Sequence, residues 1–478
     1  MISGIVFHIL SRILLITGIS LLSCVPVAYI YGEAVSPFLF SSAPPLIFSI
    51  VIRMLLVKKE LAPPDRRSAY LLVSVAWLTM SLAGTLPYIL SGSIPHFTDA
   101  WFESVSGFST TGSSILTDIE ALPKSVLFWR SLTHWVGGLG IIVMVIILMP
   151  SLSIGGYHLF TLESSLQEKM HPRIKSVGVR LLYIYLILTL LEIIFLLAGG
   201  MDLFESICHA FGTVATGGFS PKNSSISDYS PYIQYVIMIF MLLAGINFLM
   251  HYYLVKREFK RIAQNEELKF YLFVIIVSGL IISGLLFSQA GRSPETAFRE
   301  SFFQVISIVT CTGFASSDYL LWPMGAQVLI FSLLFFGGCT GSTAGGIKMA
   351  RHLIALKNVN RYIRSLIAPN AVIPLRFNQQ TVSSSDNNGI LTFILWYLIL
   401  FIIGTLFLIL FGADVATASS SVATAMGGIG PGFGLVGPAA NFAQTPEASK
   451  IALSALMILG RLEIYTVVML FTPWFWKK

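Results

Sequence analysis

Four short stretches hold the residue types that could do chemistry: Thr110-Thr111-Gly112, Val214-Ala215-Thr216-Gly217, Thr310-Cys311-Thr312-Gly313 and Gly428-Ile429-Gly430. What they offer is backbone. Glycine tolerates positive φ, so carbonyls that follow one another can turn to one side. Four such loops around an axis make a ring of oxygens able to replace a cation's hydration shell. A fifth stretch, Gly337-Gly338-Cys339-Thr340-Gly341-Ser342-Thr343-Ala344-Gly345-Gly346, has no bulky side chain and five glycines. It directly follows an apolar segment, 326–336, of helical character. Each glycine costs a helix about 1 kcal/mol relative to alanine. In lipid, non-helical backbone survives only where it is buried in protein or lines a cavity. The expectation is a membrane helix broken where water enters. A close helix-packing patch of small residues is the alternative.

The elements that must position these loops belong to a membrane protein. Of 478 residues, 55% are hydrophobic and 11% are charged, against roughly 25% charged in soluble domains. The net charge of +7 does not indicate a nucleic-acid partner, because the basic residues gather in particular loops. Cys24, Cys208, Cys311 and Cys339 form no Cys-x-x-Cys pair, so neither a disulfide framework nor a zinc site is indicated. The apolar run 5–31 is too long for a signal-peptide core and is read as a first span.

With about 20 apolar residues per span, ten spans are expected: 5–31, 37–57, 69–92, 126–150, 179–199, 232–254, 270–290, 326–351, 388–412 and 450–472. Basic residues cluster at Lys58, Lys59, Arg66 and Arg67, then at Lys169, Arg173, Lys175 and Arg180. They recur at Lys256, Arg257, Lys260, Arg261 and Lys269, and at Lys348, Arg351, Lys357, Arg361, Arg364 and Arg376, with Lys477 and Lys478 at the end. The opposite loops are poorer, with Lys124, Lys222 and Arg292 as examples. The positive-inside bias makes the rich side cytoplasmic and places both termini there.

Semi-polar segments at 98–111, 202–216, 295–312 and 413–429 are too short to span. They recur about every 100 residues, as one helix–half-helix–helix unit used four times. Each opens on an acid, Asp99, Asp202, Glu295 or Asp414, expected to cap the half-helix and oppose its dipole. The expected fold is an all-α polytopic membrane protein with four pseudo-fourfold helix–pore-loop–helix repeats around a central pore. The repeats cover 69–150, 179–254, 270–351 (with the broken helix) and 388–473. Two extra N-terminal helices occupy 1–60.

These features resemble the TrkH/KtrB family of bacterial potassium-uptake subunits, the TrkH branch above all. Besides the loops, the resemblance rests on Thr133-His134-Trp135-Val136-Gly137-Gly138-Leu139-Gly140, His209-Ala210-Phe211, Gly217-Gly218-Phe219-Ser220, the 337–346 run, Gly430-Pro431-Gly432 and Gly460-Arg461-Leu462-Glu463. It covers essentially the whole chain. It implies a bacterial inner-membrane protein that conducts K⁺ through a carbonyl-lined filter, with Gly112, Gly217, Gly313 and Gly430 as filter glycines. It implies that 337–346 is an intramembrane gate. It further implies a homodimer docked on cytoplasmic, nucleotide-binding TrkA-type subunits. The chain itself has no nucleotide-binding motif and no cofactor is expected beyond the transported K⁺. Where family members often carry an asparagine-containing stretch, the fourth loop has Gly427-Gly428-Ile429. Glycine at all four filter positions favours potassium over sodium, since the family's sodium transporters are associated with serine in the first loop.

Arg461 lies in an apolar helix, where a charge is expensive and usually functional. Two readings compete. It faces the pore as a fixed positive charge, or it ties to a pore-helix carboxylate. Glu463 would point to nearly the opposite helix face. His134 reads as a packing residue or a proton relay, Lys348 as a gate contact or a snorkelling lysine, and Glu192 has no assigned role. The rival transport class is an H⁺- or Na⁺-coupled symporter built on broken helices. An enzyme is disfavoured by the lack of any His-Glu-x-x-His, Gly-x-Ser-x-Gly or Cys/His cluster.

Overall fold

The computed structural model describes residues 4–56, 66–147 and 170–476. Lys58, Lys59, Lys169, Lys477, Lys478 and the end of the fourth expected span, 148–150, lie outside the described residues.

The described chain is almost wholly helical. The N-terminal pair is formed by α1 (Gly4–Leu22), continued by α2 (Cys24–Ile30), and α3 (Ser36–Leu56). The Ser49 hydroxyl, buried between α1 and α3, donates to Ser11 O at 2.6 Å. Glu33, past α2, accepts from Lys124 N, Ser125 N and Ser125 Oγ, which pins this pair to a later helix.

The body follows as α4 (Arg66–Leu90), α5 (Phe97–Phe108), α6 (Lys124–Ile147), α7 (Met170–Ala198), α8 (Leu203–Val214), α9 (Pro231–Ala244), α10 (Phe248–Val255), α11 (Phe259–Gln264), α12 (Glu266–Gln289), α13 (Pro294–Val309), α14 (Met324–Leu333) and α15 (Met349–Ile367). A two-residue hairpin, β1 (Arg376–Phe377) with β2 (Gln380–Thr381), precedes α16 (Ser384–Leu410), α17 (Val415–Gly427), α18 (Glu447–Arg461), α19 (Ile464–Val468) and α20 (Pro473–Trp476).

Among the described residues, six helices are long and apolar enough to cross a membrane, and two bent pairs raise the number to eight. Outer helices show their apolar side chains outward; Leu395, Ile402, Ile403 and Leu406 of α16 are exposed. That surface suits lipid.

Besides the broken 326–351 segment, two expected spans are sharply bent. The 232–254 segment bends by 99° between α9 and α10, and the 450–472 segment by 115° between α18 and α19. The first bend falls at Gly245, whose carbonyl is freed from the helix ladder. It accepts from Cys339 N at 2.9 Å, and Phe248 N donates to Gly341 O at 3.2 Å. The glycine-rich stretch after α14 thus satisfies the groups that the bend releases, as an apolar surrounding requires. The second bend falls at Glu463, at φ 65°.

The core divides into two large clusters. One collects residues from Leu181 to Met349, with Ala423, Ile429 and Phe433. The other joins the first third of the chain to the last, from Leu21 to Leu132 and from Ile347 to Ile464. Four short helices, α5, α8, α13 and α17, are buried within this core.

Candidate functional site

Each short helix ends in a loop, and hydrogen bonds fix how the four loops correspond. In each, one backbone N–H reaches back five residues: Thr111 to Ser106 O, Gly217 to Gly212 O, Thr312 to Ser307 O and Ile429 to Thr424 O, at 2.8–3.0 Å. The residue before has positive φ in every loop: Thr110 53°, Thr216 53°, Cys311 58° and Gly428 68°. So does the residue after: Gly112 83°, Gly218 79°, Gly313 82° and Gly430 97°. This corrects the sequence register by one residue in the second loop. Its counterpart of Gly112 is Gly218, and Gly217 matches Thr111. Val214 and Ala215 correspondingly match Phe108 and Ser109.

Three residues with a Cβ sit in the left-handed region, which costs roughly 1–2 kcal/mol each. Such strain persists only where the surroundings over-determine the backbone. They do so here. A Cβ on Gly112 would fall on Gly217 O, on Gly218 on Thr312 O, on Gly313 on Ile429 O, and on Gly430 against Thr111 O. Each loop's glycine therefore seats on the next loop's carbonyl, and the four close a ring. Each carbonyl lies so close to its neighbour's backbone that only glycine fits opposite it.

The loops are not identical. Ser109 pairs with Thr111 at 2.7 Å and Thr310 with Thr312 at 2.8 Å through their hydroxyls. The second and fourth loops have Ala215 and Gly427 at that position and lack this link. The first loop is further braced by buried Glu103, which accepts from Ile115 N at 3.0 Å and from Arg130 Nε at 2.8 Å. Arg130 also donates to Ser220 O at 3.1 Å and lies over the Phe219 ring, joining the first two loops.

The acids at the helix starts divide. Asp202 and Asp414 cap as expected, accepting from Glu205 N at 2.9 Å and Thr417 N at 3.0 Å. Asp99 and Glu295 do not cap. The first helix starts after His96 with no side-chain cap, and Asp99 pairs with Lys450 at 2.6 Å. Ser293 caps the third helix, while Glu295 pairs with Arg299 at 2.7 Å. That guanidinium holds the exposed Glu295 carboxyl below the usual carboxylate range.

Against the C-terminal ends of the short helices lies the stretch between α14 and α15. It is non-helical throughout 337–346. Gly337 N donates to Ile347 O at 2.9 Å, so the stretch doubles back on itself. Thr343 Oγ1 donates to Val214 O at 3.1 Å, and a Cβ on Gly345 would strike Gly427 O. The loop is thus wedged against the ends of two of the four short helices. Arg461 holds it there: Nη1 donates to Thr343 O at 2.7 Å and Nη2 to Gly137 O at 3.2 Å. The alternative of a tie to a pore-helix carboxylate is not what the structure has. Glu463 does avoid Arg461, though by the chain break at 463 and not by helix phase. It pairs with Arg351, which also lies over Phe393. Lys348 Nζ folds back onto Ala344 O within the loop, unlike a snorkelling lysine.

His134 stacks on Phe219 at 4.0 Å, and its Nδ1 accepts from Phe219 N at 3.4 Å. Its ring fills the place a Cβ on Gly217 would take. Glu192 is fully buried, with neither carboxylate oxygen bonded. Sequence reasoning passed over Glu103, Arg130 and Glu267. The last is a fully buried acid whose Oε1 accepts from Thr340 and Ala350.

The TrkH family profile, a family described as cation transport protein, matches residues 45–478. The chain belongs to the TrkH family. A TrkH-family relative in Escherichia coli K12, named Trk system potassium uptake protein TrkH, is 36% identical over 431 residues, 88% of each chain. The Trk system potassium uptake protein TrkI of Halomonas elongata is 36% identical over 413 residues, covering 86% of this chain and 84% of that one. The crystal structure of the potassium transporter TrkH from Vibrio parahaemolyticus superposes with a TM-score of 0.89 at 31% identity, over 99% of both chains. A TrkH-family chain is a multi-pass membrane transport protein and not an enzyme.

Proposed function

We propose that this chain is the potassium-translocating subunit of a bacterial Trk-type uptake system. K⁺ passes a filter made by the four closed loops, at the centre of four pseudo-fourfold helix–pore-loop–helix repeats. The 337–346 loop blocks the path and is the gate. The observation that carries this reading is the closed ring, in which each glycine seats on its neighbour's carbonyl. Such a ring offers oxygens at fixed spacing to a dehydrated cation. The potassium uptake named for its relatives supports the choice of ion.

The filter consists of Thr110–Gly112, Thr216–Gly218, Cys311–Gly313 and Gly428–Gly430 in the register of the loops. Arg461 acts as a fixed charge that anchors the gate. The basic end faces the cytoplasm, with both termini there, in the bacterial inner membrane. The chain works as a homodimer on nucleotide-binding TrkA-type subunits, which bear on 256–269 and 348–376.

The test is cation flux into proteoliposomes holding the purified chain, without a proton or sodium gradient. K⁺ and Rb⁺ flux well above Na⁺ and Li⁺ is expected. Silence relieved by a proton or sodium gradient would establish a coupled symporter in place of the passive pathway.

A further inference from the structure

Helix α15 begins without a side-chain cap of its own. Its N-cap residue is Lys348, which carries no acceptor for the free N–H groups of the first turn. The missing acceptor comes from another helix. Glu267, in the first turn of α12, accepts from Ala350 N at 2.9 Å. Ala350 is the second residue of α15, the position an N-cap side chain normally serves.

The same oxygen, Oε1, accepts from Thr340 N at 2.7 Å and from Thr340 Oγ1 at 3.0 Å. Thr340 lies near the middle of the glycine-rich loop. One carboxylate oxygen therefore joins three pieces: the loop, the start of the helix after it, and the start of α12. The carboxylate and Ala350 are fully buried, and Thr340 is half-buried. Both helix N-termini favour the negative charge, and hydrogen bonds to an ionised acceptor are roughly twice as strong as neutral ones. The other oxygen, Oε2, has no partner.

The neighbouring acid extends the connection. Glu266 pairs with Lys357, two turns along α15, and accepts from Asn378 N at 3.3 Å. Lys357 also donates to Arg376 O at 2.9 Å. A displacement of α15 or of the β1–β2 hairpin must act on the first turn of α12, where the loop is held.

We propose that Glu267 is the latch that pins the 337–346 loop in its blocking position, and that the Glu266–Lys357 pair beside it transmits movement of α15 to the latch. This rests on the reading of that loop as the gate. Loss of this tie needs only one side chain to lose its donors, while the bonds from Arg461 to Thr343 O and from Cys339 N to Gly245 O are separate holds on the same loop.

The test uses the full chain in proteoliposomes with two readouts. One is Rb⁺ flux. The other is labelling of buried Cys339 by a small methanethiosulfonate reagent, read by peptide mass spectrometry. Glu267→Ala is expected to raise flux on the order of tenfold, the scale of one lost charge-assisted bond, and to speed Cys339 labelling. Glu267→Gln keeps an acceptor without the charge and is expected to fall between. Thr340→Val, which keeps the carboxylate and guards against misfolding of the acid variants, is expected to do the same more weakly. Unchanged Cys339 labelling in all three variants would overturn the latch, whatever the flux. Faster labelling with unchanged flux would keep the latch and remove the gate reading. A chain shortened within 337–346 is the control: if its flux does not rise, the gate reading fails, and Cys339 labelling alone then decides whether Glu267 pins the loop.

Discussion

The ring of four loops and the 337–346 loop are both irregular backbone inside a membrane protein, yet they are held in different ways. The ring is closed by backbone, with the Glu103–Arg130 pair bracing its first two loops. Its N–H groups bond back into their own helices, and its glycines seat on neighbouring carbonyls. The 337–346 loop also has backbone bonds, from Gly337 N to Ile347 O and from Cys339 N to Gly245 O, but charged side chains add to them: Arg461 and Glu267 reach in from other helices and Lys348 folds back from the loop's own end. Backbone closure leaves one arrangement. Side-chain ties can be released one at a time. Similar glycine-rich sequence thus builds both regions, and on the proposed reading the one that stays fixed relies on backbone closure while the one that moves adds charged ties from other helices.

Substitutions at each region sharpen this contrast. Glu103→Ala leaves Arg130 buried without its carboxylate, and breaking such a pair costs about 3–5 kcal/mol. Thermal unfolding of the detergent-solubilised chain is expected to show a large loss of stability without a gain in flux. Gly218→Ala forces a Cβ onto Thr312 O, an overpacking cost of about 1–3 kcal/mol. It is expected to abolish discrimination of K⁺ from Na⁺ in flux assays. Gly217→Ala meets the His134 ring instead. Adding His134→Ala should rescue Gly217→Ala and leave Gly218→Ala unrescued; rescue of both would overturn the loop register. Arg461→Gln removes a charged donor from the 337–346 loop and is expected to raise flux roughly tenfold, with little change in folding. A fall in expression together with flux would place Arg461 on the side of the rigid ring. The smallest effect is at the helix starts. Asp414→Ala should cost about 1 kcal/mol as a lost cap. Glu295→Ala should cost only a few tenths, because the carboxylate of its pair with Arg299 is exposed and solvent-screened. Paired thermal melts separate them.

Much of this was legible in the sequence because membrane burial makes broken backbone conspicuous. Four Thr/Ser- and Gly-containing ends at a common spacing, and five glycines after an apolar run, have few other uses in lipid. The register of the second loop was not legible. Thr216-Gly217-Gly218 offers two glycines, and the bond from Gly217 N to Gly212 O together with the positive φ at Thr216 and Gly218 shows which is equivalent. The bend at Glu463 was hidden because Leu462 and Glu463 are ordinary helix formers, and the turn is imposed by tertiary packing and the pair with Arg351. Asp99 and Glu295 looked like caps because acids in a first turn usually serve the dipole, and only the structure shows Lys450 and Arg299 beside them. Glu267 was masked by Glu266 next to it. Two consecutive acids before a long apolar helix look like redundant dipole charges, when each has a separate partner.

The ring's order of closure bears on how the chain is made. Its last seam lies between the first and fourth loops, where Ser113 Oγ bonds Gly430 O across 317 residues of sequence. Phe442 N to Ser114 O and Lys450 to Asp99 reinforce the same seam. A nascent chain can insert three quarters of its helices and still have no finished aperture. The first loop must wait for the final portion of synthesis before its oxygens face their partners. An incompletely translated copy left in the membrane has an unsealed circle.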